Sequence, residues 1–484
     1  MSQLRSGPPR GWLHSPWGLS QGGGLLWVAS LLGALCVSAL SVYLPILPGL
    51  ALAASVGLYV LYRAPWISLV AFALGVSFDD VNVNIGFALL GMGDIAMALL
   101  LSLWSLKRLS WRAPLRLPEG WGLFLAFIIF TFMSLIMGPR PQIAYGLMLR
   151  MVLYVLTVLV IVDYVRSLRS LHHILLIVIG SGVVHAFFAF YLDNQDARLV
   201  GLPDQSNNLG ALLGFSLALS FAYLKHHVSS PLQRGALLSA IFVTLLALIF
   251  TISRGSYLST LVMLAWLFQS YWRHLFSVVL IIVAAVALYD YLDHDRFSYL
   301  LQRLQFEDQS VTNRWQVVLN AIELIQAHPL LGIGFGQFAY INEVIQVDAE
   351  AGRSPHNFYL GLFASVGSLA AGSFFAFILI QARCLWSELR LLRVRLSRAP
   401  QAGTVWPLLL GEAMQAAMLF QTVSLGFRGI KRTADWMPLG LYMVAYLCLR
   451  EQRYAEQARA PEQPEGHPHR ELDLELKEAI DREG

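Results

Sequence analysis

Charge and cysteine are scarce in this chain. Only 13% of its 484 residues are charged and three are cysteine, against 57% hydrophobic residues and a mean hydropathy of +0.59. Cys36 and Cys448 lie inside apolar runs and Cys384 in a basic stretch, a pattern that suits neither a disulfide framework nor a cysteine metal site. The formal charge of +4 comes from loop Arg and Lys rather than from a basic patch interleaved with aromatics, so nucleic acid is not suggested as a partner. No small-residue cleavage site follows the first apolar run, which is expected to remain as an uncleaved helix. The Gly332, Gly334, Gly336 repeat has no strand before it, which disfavours a dinucleotide or Walker-type phosphate loop. A tight turn that lets backbone approach a helix or a substrate is expected instead.

Apolar runs of helix length are abundant. A bilayer core of ~30 Å demands runs of ~17–25 residues, and such runs fall at 24–44, 45–62, 66–79, 85–106, 120–138, 143–165, 170–192, 206–224, 235–252, 256–271, 274–291, 356–382, 404–425 and 434–449. The pattern predicts an all-α polytopic membrane protein of about 12–14 transmembrane helices. Short-loop Arg and Lys then set the orientation. Lys107, Arg108, Arg112 and Arg116 follow the fourth span, Arg166 and Arg169 the sixth, Lys225 and Arg234 the eighth, with Arg273 continuing the series. After the twelfth span come Arg383, Arg390, Arg393, Arg395 and Arg398 against the single acid Glu388. All share one parity, which is assigned to the cytoplasm together with both termini.

The loops of opposite parity are acidic, carrying Asp79 and Asp80 in one and Asp193, Asp196 and Asp204 in another. The largest holds eight acids and four Arg between 293 and 355. The resulting organisation is a cytoplasmic segment at 1–23, membrane helices at 24–291, a periplasmic loop with a surface helix at 292–355, membrane helices at 356–449, and a charged cytoplasmic tail at 450–484, disordered or loosely helical. Within the large loop, Asn313-Arg314-Trp315 opens a helix whose Trp315, Val318, Leu319, Ile322 and Ile325 recur at helical spacing, as expected of a helix lying on the membrane surface. His328-Pro329 ends it.

Four ionisable residues then meet the same, opposite side of the membrane. Arg254, in Ser253-Arg254-Gly255, occupies a very short connection where a guanidinium needs water, a partner or an anion; snorkelling to lipid phosphate is the plain alternative. Arg198 can pair with Asp193, Asp196 or Asp204, Arg314 can be a solvated residue of its helix, and His356 can be a structural donor at a helix start. Taken together, three arginines suit bidentate neutralisation of a diphosphate without a metal ion. A neutral imidazole can take the proton of an attacking sugar hydroxyl. That is the chemistry of moving a glycan off a lipid diphosphate. Asp94 and Glu412, each preceded by Gly inside an apolar run, are expected to be capping or hydrogen-bonded structural carboxylates. A transporter would place such groups along a midplane path in repeated halves, and no internal repeat is evident; a scaffold role in an envelope complex is the other alternative.

Ser253-Arg254-Gly255, Asn313-Arg314-Trp315, His328-Pro329-Leu330-Leu331-Gly332-Ile333-Gly334-Phe335-Gly336 and Pro355-His356-Asn357-Phe358-Tyr359, closing on Gly367, resemble in order and spacing the signature of the O-antigen ligase and polymerase superfamily. The resemblance is strongest over 195–370. It implies a bacterial inner-membrane glycosyltransferase of the integral GT-C type, free of metal and cofactor, with its site facing the periplasm. The implied donor is an undecaprenyl-diphosphate-linked glycan, and the acceptor is lipid A core for a ligase or a lipid-linked repeat unit for an O-antigen or exopolysaccharide polymerase. Other polysaccharide assembly proteins are implied as possible partners. The positions matching the family's functional residues are Arg254, Arg314 and His356, and Arg198 resembles a site near the donor diphosphate.

Overall fold

In hydrocarbon every backbone amide and carbonyl must be satisfied within the protein, and a helix does this from its own chain. In the computed structural model the apolar runs among the described residues are accordingly helical, except that the run expected from 85 starts as a strand at Leu89–Gly91 and becomes helical only at Met92. The structure describes residues 57, 65–77, 82–84, 89–110, 114–192, 199, 206–226, 230–269, 280, 291, 309–345, 357–398, 402–425 and 433–459. The helices are α1 (Pro65–Ser77), α2 (Met92–Ser110), α3 (Trp121–Met137), α4 (Tyr145–Tyr164), α5 (Leu168–Tyr191), α6 (Ser206–His226), α7 (Pro231–Phe250), α8 (Arg254–Leu267), α9 (Gln309–Ala327), α10 (Phe338–Ile345), α11 (Phe358–Arg398), α12 (Ala402–Leu425) and α13 (Thr433–Arg459). Among the described residues, β1 (Asn82–Asn84) and β2 (Leu89–Gly91) form the only strands, a short antiparallel hairpin ahead of α2.

Six helices among the described residues are long and apolar enough to cross a membrane: Pro141–Tyr164, Leu168–Tyr191, Ser206–Lys225, Pro231–Phe250, Phe358–Leu396 and Val405–Leu425. The chain is an all-α, multi-pass membrane protein. The spans expected at 24–44, 45–62 and 274–291 lie outside the described residues, apart from isolated helical positions at 57, 280 and 291.

The helices pack around α6 and α12. Gly210 and Gly214 of α6, one turn apart, let neighbours approach closely, as small residues do between membrane helices. A Cβ at Gly210 would stand 2.5 Å from the Ser256 hydroxyl of α8, and one at Gly214 2.1 Å from the Phe420 ring of α12. On the other side of the bundle, Phe124 of α3 stacks on Phe377 of α11 with ring centroids 4.7 Å apart, and Trp436 of α13 joins the same aromatic cluster. Offset ring contacts of this kind add about 0.5–1.5 kcal/mol each beyond burial.

One end of the bundle is a belt of ion pairs. Buried Asp163 accepts from Arg166 at 2.7 Å and from Trp104 at 3.0 Å, with Arg108 at 3.8 Å. Glu412 takes Lys225 and Arg393, each at 2.8 Å, and Glu388 takes Arg453 at 2.8 Å. Arg116 reaches Glu451 at 2.9 Å. Glu119 accepts from Tyr446, Cys384 and Arg450. The Tyr446 hydrogen bond, aided by Cys384 and Arg450 and opposed by partial burial, holds the Glu119 carboxyl below its ordinary range. A buried carboxylate persists only with such partners. The cations come from the basic stretches after the fourth, sixth, eighth and twelfth spans and from the end of α13, so those stretches share one end of the molecule. Glu412 is a structural carboxylate, as expected, and Asp94 in the first turn of α2 pairs with Arg150 at 3.4 Å.

The basic stretch 383–398, expected as a loop, is instead the last third of α11. Its Leu385 and Leu389 are fully buried, and its Arg393 and Glu388 pin it to α12 and α13. An amphipathic helix with five arginines has no continuous apolar run to reveal it. Likewise α13 continues past the expected end of its span to Arg459.

Candidate functional site

At the end of the bundle opposite the ion-pair belt, two helix N-termini converge. α6 opens at Ser206 and α8 at Arg254. Ser253, the residue before α8, donates its hydroxyl to Asn207 Oδ1 at 3.1 Å and lies 3.0 Å from the Ser256 hydroxyl. Each helix start carries unsatisfied amides and roughly half a positive charge, the ordinary basis of an anion site. Arg254 occupies the first position of α8, half-buried.

The turn that presents Arg254 is strained. Ile252 has φ +48°, and among the described residues it is the one non-glycine with positive φ. A β-branched residue in the left-handed region costs on the order of 1–3 kcal/mol, and such strain clusters at functional turns. Ile252 is buried, and its amide bonds to Ile249 at 3.2 Å. The amide of Leu199 bonds to the carbonyl of Phe250, the last residue of α7, at 3.0 Å. Leu199 is therefore tied to the end of α7, two residues before the turn at Ile252. Arg198 itself lies outside the described residues.

A second pair of segments meets on a small separate core. Val317 and Ala321 of α9, Ile333, Phe338 of α10 and Ala364 of α11 are buried together, with Leu360 packed against them. Arg314 falls in α9, one turn ahead of Val317, and His356 precedes α11 by two residues. His356 lies outside the described residues. Asn357 caps the first turn of α11, its Oδ1 accepting the Leu360 amide at 3.1 Å. α9 begins at Gln309, one turn earlier than the expected opening at Asn313. Its apolar stripe divides: Val317 and Ala321 face the core while Trp315, Leu319 and Ile322 are exposed.

The glycine-rich stretch repairs a broken helix. α11 is interrupted at Gly367, with φ 69° and ψ −178°, which frees backbone groups that must find partners. Ile333 and Gly334 donate to the carbonyls of Ala364 and Ser365 at 3.0 and 3.1 Å, and Ser368 and Leu369 donate to Pro329 and Leu330 at 2.8 and 3.2 Å. Ser134 of α3 adds a hydrogen bond to the Ser365 carbonyl at 2.9 Å. The approach leaves no room for side chains. A Cβ at Gly332, whose φ is +68°, would stand 2.5 Å from the Ser365 carbonyl, and one at Gly367 2.2 Å from the Leu330 oxygen. The repeat is thus a backbone approach to a helix, one of the two expected roles.

Gly367→Ala is accordingly predicted to destabilise the fold by at least about 3 kcal/mol, from left-handed strain plus a backbone clash. Gly372→Ala, in the same helix with nothing within 4 Å of its built Cβ, should be neutral or slightly stabilising. Thermal melting of the detergent-solubilised variants, followed by size exclusion, measures both; equal melting curves would remove the repair role.

No curated protein sequence matches the chain. Comparison with family models matches residues 239–375 to a family described as O-antigen ligase. The matched stretch includes Arg254, α9 with Arg314, the glycine repeat, His356 and the Gly367 break, and excludes Arg198.

Proposed function

We propose that this chain, whose residues 239–375 match a family described as O-antigen ligase, transfers a glycan from undecaprenyl diphosphate to an acceptor hydroxyl at the periplasmic face of the inner membrane. The observation that carries this reading is the convergence of the α6 and α8 N-termini at Arg254, with Leu199 hydrogen-bonded to Phe250 just before the same turn. Two helix dipoles and two guanidiniums suit a diphosphate that carries its charge into the leaving group. Arg254 and Arg314, with help from Arg198, hold the diphosphate and stabilise the charge as it leaves. His356 accepts the acceptor's O–H proton, the freed oxygen pair forms the new bond to the anomeric carbon, and the carbon–oxygen bond to the diphosphate breaks with its electrons leaving on phosphate. Direct displacement inverts the anomeric centre. No metal ion is needed, because arginine supplies the positive charge.

The acceptor favoured is lipid A core, making the protein an O-antigen ligase. A gel of surface polysaccharide from a strain lacking it tests the assignment. Loss of all long chains from core, with polymer accumulating on the carrier lipid, supports the ligase. Single repeat units capping the core mean an O-antigen polymerase, and loss of a secreted polymer alone means an exopolysaccharide polymerase. Transport is disfavoured by the carboxylates: Glu412 and Asp94 are each engaged by cations rather than free to bind a moving ion.

Orientation is tested separately. With the ion-pair belt in the cytoplasm, Leu300→Cys and Ile345→Cys should react with an impermeant thiol reagent in intact spheroplasts, and Val394→Cys should not. Labelling at 394 alone would invert the arrangement and remove the periplasmic site.

A further inference from the structure

Between α5 and α7, with α6 behind them, an open groove of about 580 Å³ runs along the helices. That volume is in the range of sites built for small molecules. On α5 its lining extends from His172 to Phe187, ~22 Å at 1.5 Å per residue. Small residues hold it open: Gly180 on one wall, Ala236 and Ala240 on the other. A Cβ at Gly180 would meet nothing within 4 Å.

Apart from Ser239 partway along α7, the polar side chains of the lining gather at one end. There His172 Nδ1 and the Tyr223 hydroxyl lie 2.7 Å apart, and Gln233 completes the mouth. This is the end at which α5 and α7 both begin, each capped by a serine, Ser167 and Ser230. Their positive dipole ends therefore flank the mouth. Arg169 precedes His172 by one turn and Arg234 adjoins Gln233, both exposed. Neither has an ion-pair partner among the described residues. Lys225 is held by Glu412, and α5, α6 and α7 contain no Asp or Glu at all. A largely apolar trough thus ends near two exposed arginines that have no ion-pair partner among the described residues.

We infer that this groove is a binding site for an anionic glycerophospholipid of the leaflet at the basic end, its phosphate on Arg169 and Arg234 and one acyl chain along α5 and α7. Charge complementarity selects the headgroup, and the trough selects the chain. The glycan donor is a poor occupant: a diphosphate held at Arg254 sits at the other end of the bundle, and its polyprenyl tail would enter the groove away from these two arginines.

The test uses the purified full chain, delipidated in neutral detergent and offered phosphatidylglycerol and phosphatidylcholine with identical acyl chains, with retention read by native mass spectrometry. Phosphatidylglycerol should be retained at least about fivefold over phosphatidylcholine, as two surface arginines warrant. Gly180→Leu, which fills the trough while favouring the helix, should lower retention of both lipids with helicity and elution volume unchanged. The double variant Arg169→Gln, Arg234→Gln should keep the chain contact and lose the preference. Equal retention of the two lipids by wild type would overturn the proposal, as would a Gly180→Leu protein that retains phosphatidylglycerol fully. Displacement of phosphatidylglycerol by polyprenyl phosphate, sensitive to Gly180→Leu, would give the groove to the donor's tail and equally refute it.

Discussion

Arg254→Lys is expected to abolish most glycan transfer, by about 10²–10³ in turnover, the usual cost of removing one preorganised electrostatic stabiliser. Lysine keeps the charge, but it offers a point charge where the guanidinium offers a planar fork that grips two phosphate oxygens. The position makes this severe. Arg254 is the first residue of α8, its backbone direction set by the left-handed Ile252 and by the Ser253–Asn207 hydrogen bond, so a lysine ammonium has little freedom to find the same two oxygens. The variant should still accumulate as folded protein, because the residue is half-buried at a helix start and lysine and arginine have similar helix propensities. Transfer by wild-type membranes should also continue in excess EDTA, since arginine is assigned the role a divalent ion would otherwise fill. Near-normal transfer by Arg254→Lys would leave only a snorkelling role for this side chain. Activity lost to EDTA and restored by Mg²⁺ would direct attention to Asp79, Asp80, Asp193, Asp196 and Asp204 as ligands.

The helical framework is legible in the sequence wherever burial in lipid demands a continuous apolar run. The runs at 120–138 and 206–224 match α3 and α6 to within a turn. Structure that relies on partners far away in the chain is not legible in this way. Asp163 sits silently inside an apolar run because its Arg108 and Trp104 partners are contributed by α2. The 383–398 arm hides because it has no continuous apolar run, and two of its arginines, Arg393 and Arg395, are neutralised by acids of other helices. The glycine repeat announces a close backbone approach, yet only the fold identifies the broken turn at Gly367 as what is approached. At the site, residue types suggest the arginine and histidine set, and the fold ties Leu199 to the end of α7 beside the 254 turn and packs the 314 helix against the first turns of α11. The strain at Ile252 has no signature, because nothing about isoleucine suggests a left-handed turn.

His356→Ala is predicted to lose turnover by about 10²–10⁴, the range of general base catalysis, while donor binding through the arginines persists. The residues that follow it in the chain are held in place. Residue 356 directly precedes Asn357, whose side chain caps α11, and the first turns of that helix are fixed by the core shared with α9 and by the backbone pairing that spans the Gly367 break. The base must be neutral to accept a proton, so the rate should fall at acid pH, where an imidazole is protonated. His356→Gln separates the two roles open to this residue. An amide still hydrogen-bonds a hydroxyl but takes no proton at neutral pH. A glutamine variant that binds donor, stays inactive and shows no recovery at higher pH supports the base. One that transfers at near wild-type rate, with the acid limb of the pH profile unchanged, would mean that His356 only orients the acceptor and that the proton leaves by another route.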